Sequence, residues 1–263
     1  MAMRNGRREE EHGIILLKWR GTSRGGKRME VLKERKEFDL KAMMTSEFPE
    51  VQLEHAKPFA ELMMQYRCAL MEVETKLNVL NAEFTMKNNR NPFESIKSRI
   101  KSPVSILEKM QRKGYPISAE SIEENLADIA GIRVICSFPD DIYATAKLLT
   151  QQDDITVLEV KDYIKNPKDN GYRSLHLILE IPIFLSEQKK NMKVEVQFRT
   201  IAMDFWASLE HRMHYKKNLD VKMQEMLVAE LRDCAEESAN LDIRMETVKD
   251  YIEENTEKSQ KYS

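Results

Sequence analysis

Two short runs near the centre of the chain constrain its fold most. Residues 169–181 read DNGYRSLHLILEI and residues 194–200 read VEVQFRT. Residue character alternates with period two in both, which predicts β-strands whose successive side chains point to opposite faces. Leu175, Leu177, Leu179 and Ile181 share one face of the first strand, and Tyr172, Ser174 and His176 share the other. In the second, Val194, Val196 and Phe198 lie opposite Glu195, Gln197 and Arg199. The aliphatic faces have to be covered by other elements. That leaves an aromatic ring, a histidine, a carboxylate, an amide and a guanidinium on outward faces, either as a solvated surface or as groups that bind and react.

The elements that could cover those strands are mostly helical. Phe59, Leu62, Met63, Tyr66, Leu70, Val73, Leu77 and Leu80 recur at helical spacing, so residues 50–87 read as one long amphipathic helix. The run from Asn88 to Pro92 breaks it. Ser102 followed by Pro103 marks the next helix start, an N-cap and then proline at the first helical position. Lys101, Ser105, Lys109 and Arg112 then lie along one side of that helix. Unpaired N–H groups and the positive dipole end of a helix N-terminus suit phosphate, and lysines beside them make a polyphosphate cradle. A plain basic surface is the alternative.

Ser118 to Ala130 reads as a further helix striped by Ile122, Leu126 and Ile129, with Gly131 as its C′ residue and a strand over residues 132–136. On that reading Asp128 sits in a last helical turn, where its charge opposes the dipole. A metal ion would compensate, and so would an ion pair with Arg133 or a lysine. A helix over 140–151, a strand over 155–160 and a loop from Asp162 to Asn170 follow. After the second central strand comes a helix in which Ile201, Phe205, Leu209 and Met213 form the expected core stripe, with Asp204, Ser208 and His211 on another side. Residues 220–254 are strongly helical and suited to packing on the first long helix or on a partner chain. A polar end over 253–263 is expected to fray.

Several function classes are excluded or weakened. The chain holds only eight glycines and no glycine-rich phosphate loop, so phosphate would have to be held by a helix terminus and cationic side chains. Cys68, Cys136 and Cys234 are scattered and odd in number, which suits buried thiols in a reducing cytosol rather than disulfides or zinc. The apolar run Ile14 to Leu17 is too short for a membrane span or a signal segment. Net charge is −2 overall, but residues 1–28 carry eight basic and three acidic side chains, a local charge of +5. Residues 1–45 therefore read as a basic extension without sustained periodicity, expected to be disordered or weakly helical. Such an extension could touch RNA or phospholipid, or have no role. The domain proper is expected over 46–254, with a polar tail over 255–263.

Five blocks in order, SRIKSPVSILEKMQRKG, DIAGIRVICSF, KDYI, NGYRSLHLILE and VEVQFRTIAMDFWASLEH, resemble the synthetase domain of the RelA/SpoT family over roughly residues 50–250. Length and layout are similar to the small alarmone synthetases, the RelP-type subgroup in particular. The resemblance implies an α+β fold, a mixed β-sheet flanked by helices and related to nucleotidyltransferases. It implies a cytoplasmic GTP pyrophosphokinase that uses Mg²⁺ to move the β,γ-pyrophosphate of ATP onto the ribose 3′-oxygen of GTP or GDP, giving pppGpp or ppGpp and AMP in the stringent response.

By the same resemblance, Arg99 and Arg133 sandwich adenine, and Lys101, Ser105, Lys109 and Arg112 hold the ATP phosphates. Asp128 and Glu195 hold the metal, Glu195 doubling as general base. Tyr172 stacks on guanine, Lys161, Lys168 and His176 face the GTP phosphates, and Gln197 and Asp204 line the guanosine side.

His12, His55, His176, His211 and His214 are followed by Gly, Ala, Leu, Arg and Tyr, so the His-Asp pair of the family's hydrolase domain is missing and synthesis without hydrolysis is expected. Residues 95–98 read SIKS, unlike the Phe-x-Thr-Gly pattern with which the RelQ-type subgroup binds activating pppGpp. Product activation is therefore not carried over. A homotetramer built through terminal helices is expected. Two other readings stay open: a relative that pyrophosphorylates the 3′ end of tRNA with the same residues, and a non-catalytic RNA-binding regulator that uses the basic extension.

Overall fold

The computed structural model describes residues 17–21, 27–31, 49–88, 90–213 and 221–261. Leu17–Gly21 (β1) and Lys27–Val31 (β2) pair as an antiparallel ribbon. This departs from the disorder or weak helix expected over 1–45. The remainder of residues 1–45 lies outside the described residues.

The body is a five-stranded mixed sheet. Its strands are Phe93–Ile100 (β3), Ala130–Cys136 (β4), Thr156–Asp162 (β5), Leu175–Phe184 (β6) and Lys189–Thr200 (β7), in the order β3-β4-β7-β6-β5. Only β4 and β7 run parallel; the other neighbours are antiparallel. The strand β3 has no counterpart in the sequence reading, because FESIKSRI mixes apolar and polar residues irregularly.

One aliphatic face is covered by the long helix Pro49–Asn88 (α1). Phe59, Leu62, Tyr66, Val73 and Leu77 pack with Ile132, Val134, Leu177, Leu179, Val194, Val196 and Phe198 in one core. Burial of such side chains is worth roughly 1.5–3 kcal/mol each. The helix Pro103–Lys113 (α2) begins as expected: Ser105 N–H donates to Ser102 Oγ at 3.2 Å, and Ile106 and Met110 go into the core. Gly114 closes it in the left-handed region at φ 70°. Pro139–Thr150 (α4) follows β4.

The helix expected over 118–130 is instead Ala119–Asn125 (α3), capped by Ser118 Oγ, which accepts from Ser121 N–H at 3.1 Å. Leu126 is already extended, at φ −112° and ψ 129°. Leu126 and Ile129 are both buried, so the stripe was a core signal that an extended link satisfies as well as a helix does. The Lys193 ammonium donates to the carbonyls of Glu123 and Glu124 at 3.1 and 3.0 Å and so caps the last turn. Gly131 is therefore a strand residue, and Asp128 lies in the link rather than in a helix.

After β7 comes Ile201–Met213 (α5), then Val221–Lys261 (α6), which runs as helix to Lys261, into the segment expected to fray. The core stripe expected on α5 is reversed. Ile201, Phe205, Leu209 and Met213 are exposed, and Met203, Trp206 and Ala207 are buried. Spacing identifies an apolar face but not which of two such faces turns inward. Here the rotation is set by Thr200 Oγ1, which accepts from Met203 N–H at 3.1 Å, and by the Trp206 indole, which donates to the Leu231 carbonyl at 2.8 Å. The final helix packs along α5 and touches the start of α4, where the Asp140 N–H donates to Glu246 at 2.9 Å. Among the described residues, no helix is long and apolar enough to cross a membrane.

Candidate active site

Strand register lines up polar side chains in two rows across the sheet. The first row runs Lys97, Arg133, Gln197, His176 and Lys161, one residue from each strand. The second runs Arg99, Gly131, Glu195, Ile178 and Glu159. Each pair of same-strand members is two residues apart, so both rows lie on one face. Where the rows meet β3, β4 and β7 they border a cleft of about 220 Å³ lined by Lys97, Arg99, Asp128, Arg133, Glu195 and Gln197.

Asp128 enters from the link before β4. Its Oδ2 is met by the ammonium groups of Lys101 at 2.6 Å and Lys109 at 2.8 Å. The lysine ion pair is thus among the compensations left open for this carboxylate that the side chains themselves supply. Burial alone would raise its pKa, but the hydrogen bonds and charge of the two lysines outweigh that and hold it below the ordinary aspartate value. Its second oxygen, Oδ1, is buried with no hydrogen-bond partner.

Glu195 is set by its strand neighbours. His176 Nδ1 lies 3.1 Å from Oε1, and the Gln197 amide donates to Oε2 at 3.0 Å. Burial again pushes this carboxyl up, and the contacts with His176 and Gln197 bring it below the usual glutamate value against a small opposing effect of Asp128.

The other end of the cleft is aromatic. Tyr172 lies in the loop just before β6, not on the strand as its alternation suggested. Its hydroxyl sits 2.8 Å from His176 Nε2 and accepts from Arg199 at 2.8 Å. The Lys168 ammonium lies 4.6 Å from the Tyr163 ring centre and 4.9 Å from that of Tyr172. Asp204, in the first turn of α5, accepts from Arg199 at 2.9 Å and Arg133 at 3.1 Å, with Lys97 at 3.7 Å.

The expected site residues thus fall into three groups. Lys101, Lys109 and Asp128 are in direct contact, with Ser105 one turn below at the start of α2. Glu195, Gln197, His176, Tyr172, Arg133 and Asp204 form one network joined through Arg199, Lys168 lies over the Tyr172 ring, and Arg99 shares the cleft wall. The outlying members are Lys161, paired with Glu159 at 2.9 Å, and Arg112, exposed in the last turn of α2.

Alternation with Glu195 and Gln197 puts Arg199 on the polar face but gives it no role; the structure does, since it is buried and joins Tyr172 to Asp204. Lys97 also borders the cleft, on the strand β3 whose irregular pattern gives no strand signal.

Residues 98–220 match the family described as the region found in RelA/SpoT proteins. The GTP pyrophosphokinase YwaC of Bacillus subtilis is 46% identical over 191 residues, covering 73% of this chain and 90% of that protein. The GTP pyrophosphokinase YjbM of the same organism is 34% identical over 75% of this chain and 92% of its own length. Among solved structures, small alarmone synthetase 2 from Bacillus subtilis matches with a TM-score of 0.65 and 45% identity, covering 73% of this chain and 98% of that one. Small alarmone synthetase 1 from Bacillus subtilis, bound to its product pppGpp, matches with a TM-score of 0.66 and 34% identity, covering 74% and 98%. The chain belongs to the RelA/SpoT family, among the small alarmone synthetases.

Proposed function

We infer that this chain is a GTP pyrophosphokinase, making (p)ppGpp by transfer of pyrophosphate from ATP to the 3′-oxygen of GTP or GDP, with AMP released. The observation that carries the reading is the pair of held carboxylates, Asp128 and Glu195, in a cleft ringed by cations on the polar face of the sheet. Two polyanionic substrates need such a ring to meet at all, and transfer between them is mostly alignment and charge neutralisation.

On this reading Arg99 and Arg133 flank adenine, and Lys101, Ser105, Lys109 and Arg112 take the ATP phosphates. Guanine stacks on Tyr172. Lys161, Lys168 and His176 face the acceptor's phosphates, and Gln197 borders its sugar. Asp204 serves this end of the cleft through the two arginines it holds. The 3′-oxygen attacks the β-phosphorus of ATP, the bond from that phosphorus to the α–β bridging oxygen breaks, and the hydroxyl proton goes to Glu195. A carboxylate held below its usual pKa is a weak base, so orientation of the hydroxyl is as much its service as proton acceptance.

The donor set fits a magnesium ion. Among the described residues no cluster of three or more His, Cys, Asp or Glu could hold a metal by itself. Magnesium, however, is commonly held by one or two carboxylates with substrate phosphates completing the shell. Asp128, with its buried unpartnered Oδ1, and Glu195 would hold it. Bound there, the ion neutralises phosphate oxygens and orients the transferred group. We place the enzyme in the cytoplasm, expect no hydrolysis of its product, and expect it to assemble as a homotetramer through its terminal helices.

The test is product analysis with γ-labelled ATP, Mg²⁺ and GTP, GDP or uncharged tRNA as acceptor. Label on guanosine nucleotides with AMP released is the expected result. Label on tRNA alone would overturn the substrate, and no transfer to any acceptor would overturn the enzyme and favour a nucleotide-binding regulator.

A further inference from the structure

We propose that the C-terminal helix α6 positions the acceptor-binding loop, with Arg232 and Ala235 as positioning residues that act through Gly171 and Tyr172. This rests on the reading of Tyr172 as the platform for guanine.

Only two side chains are buried among those described on α6, Ala235 and Asp242. They stand seven residues apart, two helical turns on one face. Each meets a residue that leads straight to Tyr172. Ala235 lies under Gly171, the residue before Tyr172. Asp242 accepts from Thr200 Oγ1 at 2.5 Å, and Thr200 follows Arg199, the donor to the Tyr172 hydroxyl. The helix therefore touches the body where the acceptor side is held.

The contact at Gly171 is close. Its φ is +89°, and a Cβ placed there would stand 2.6 Å from the Ala235 Cβ and 3.4 Å from the Arg232 Cα. Glycine is required twice over, for the left-handed backbone and for the approach of the helix. Arg232 Nε donates to the Asp169 carbonyl at 2.9 Å, fixing the loop two residues upstream. The Tyr172 ring packs with Leu231 against Trp206, Ala207 and Ala235. Inside the loop, Gly171 N–H donates to the Lys168 carbonyl at 2.8 Å, so Lys168 is carried with it. None of these helix residues lines the cleft. Their effect on the acceptor passes through the loop, and Lys101, Ser105 and Lys109, which take the ATP phosphates, are not among the partners named for them.

Steady-state kinetics of the full chain separates these roles, with GTP and ATP each varied. Arg232→Ala is expected to raise the KM for GTP about fivefold, the equivalent of one ordinary hydrogen bond, with the KM for ATP and the melting temperature little changed. Arg232→Lys keeps a donor and should recover most of the loss. Gly171→Ala should raise the GTP KM further, and adding Ala235→Gly, which removes the opposing methyl, should recover part of it. Equal changes for both nucleotides, no change for either, or additive behaviour of Gly171→Ala and Ala235→Gly would overturn the proposal. A wild-type chain that makes no (p)ppGpp would bring down the underlying reading as well, and that is seen before any variant is made.

Discussion

Tyr172 is fixed by its hydroxyl as well as by its ring, which lets two substitutions separate those roles. Tyr172→Ala removes the surface on which a base stacks, a contact worth about 1–3 kcal/mol. The KM for GTP should therefore rise about tenfold or more while that for ATP stays put. Tyr172→Phe keeps the surface but removes the hydroxyl that His176 and Arg199 share, so a smaller rise is expected. Arg199 is the residue on which this end of the site depends structurally. It is almost fully buried and bonds Tyr172, Asp204 and Gln197. Arg199→Met should lower stability in urea denaturation by about 2–3 kcal/mol, the scale of hydrogen bonds to charged groups. Arg133 remains to hold Asp204, so the carboxylate is not stranded.

At the scale of elements, α6 carries a pH-dependent contact. Burial of the Asp242 carboxyl, opposed by the Thr200 hydrogen bond and reinforced by the neighbouring Glu246 charge, raises its pKa from 3.8 to about 6. The folded state therefore holds this proton where the unfolded chain has lost it. The contribution is fully present below the unfolded pKa and is lost as pH rises from about 4 through about 6. Asp242→Asn keeps an acceptor for Thr200 and carries no charge. It should raise the melting temperature at pH 8 and have little effect at pH 4; an equal effect at both would contradict this assignment. The same scale shows why some elements were legible and others not. Ser102-Pro103 and Gly114 punctuate α2 by local chemistry, and a sequence shows that directly. The stop of α3 depends on Lys193, nearly seventy residues away, reaching back to its last carbonyls. The rotation of α5 depends on a Trp206 bond to α6. No local pattern records either, so Asp128 was placed in the wrong element although its role as a compensated carboxylate was readable.

Across the whole molecule, alternation in β6 and β7 identified the polar face, and register then assembled the site. Arg133, Gln197, His176 and Lys161 each look like ordinary polar strand residues until the order β3-β4-β7-β6-β5 places them in one line. The outer surface bears on assembly. Ile201, Phe205, Leu209 and Met213 on α5 and Met226, Met245, Val248 and Ile252 on α6 leave apolar side chains exposed. Their burial between copies is expected to give a solution mass four times that of the 30.8 kDa chain by light scattering, and a monomer would contradict the assembly.

The central claim is that the face built by these rows performs transfer, with Glu195 acting on the acceptor hydroxyl. The most direct measurement is single-turnover transfer of label from γ-labelled ATP to GTP by Glu195→Gln, beside calorimetric binding of each nucleotide to the same variant. The account predicts that both nucleotides bind within a few-fold of the wild type while transfer falls by about a thousandfold. Transfer at a rate near that of the wild type would contradict it.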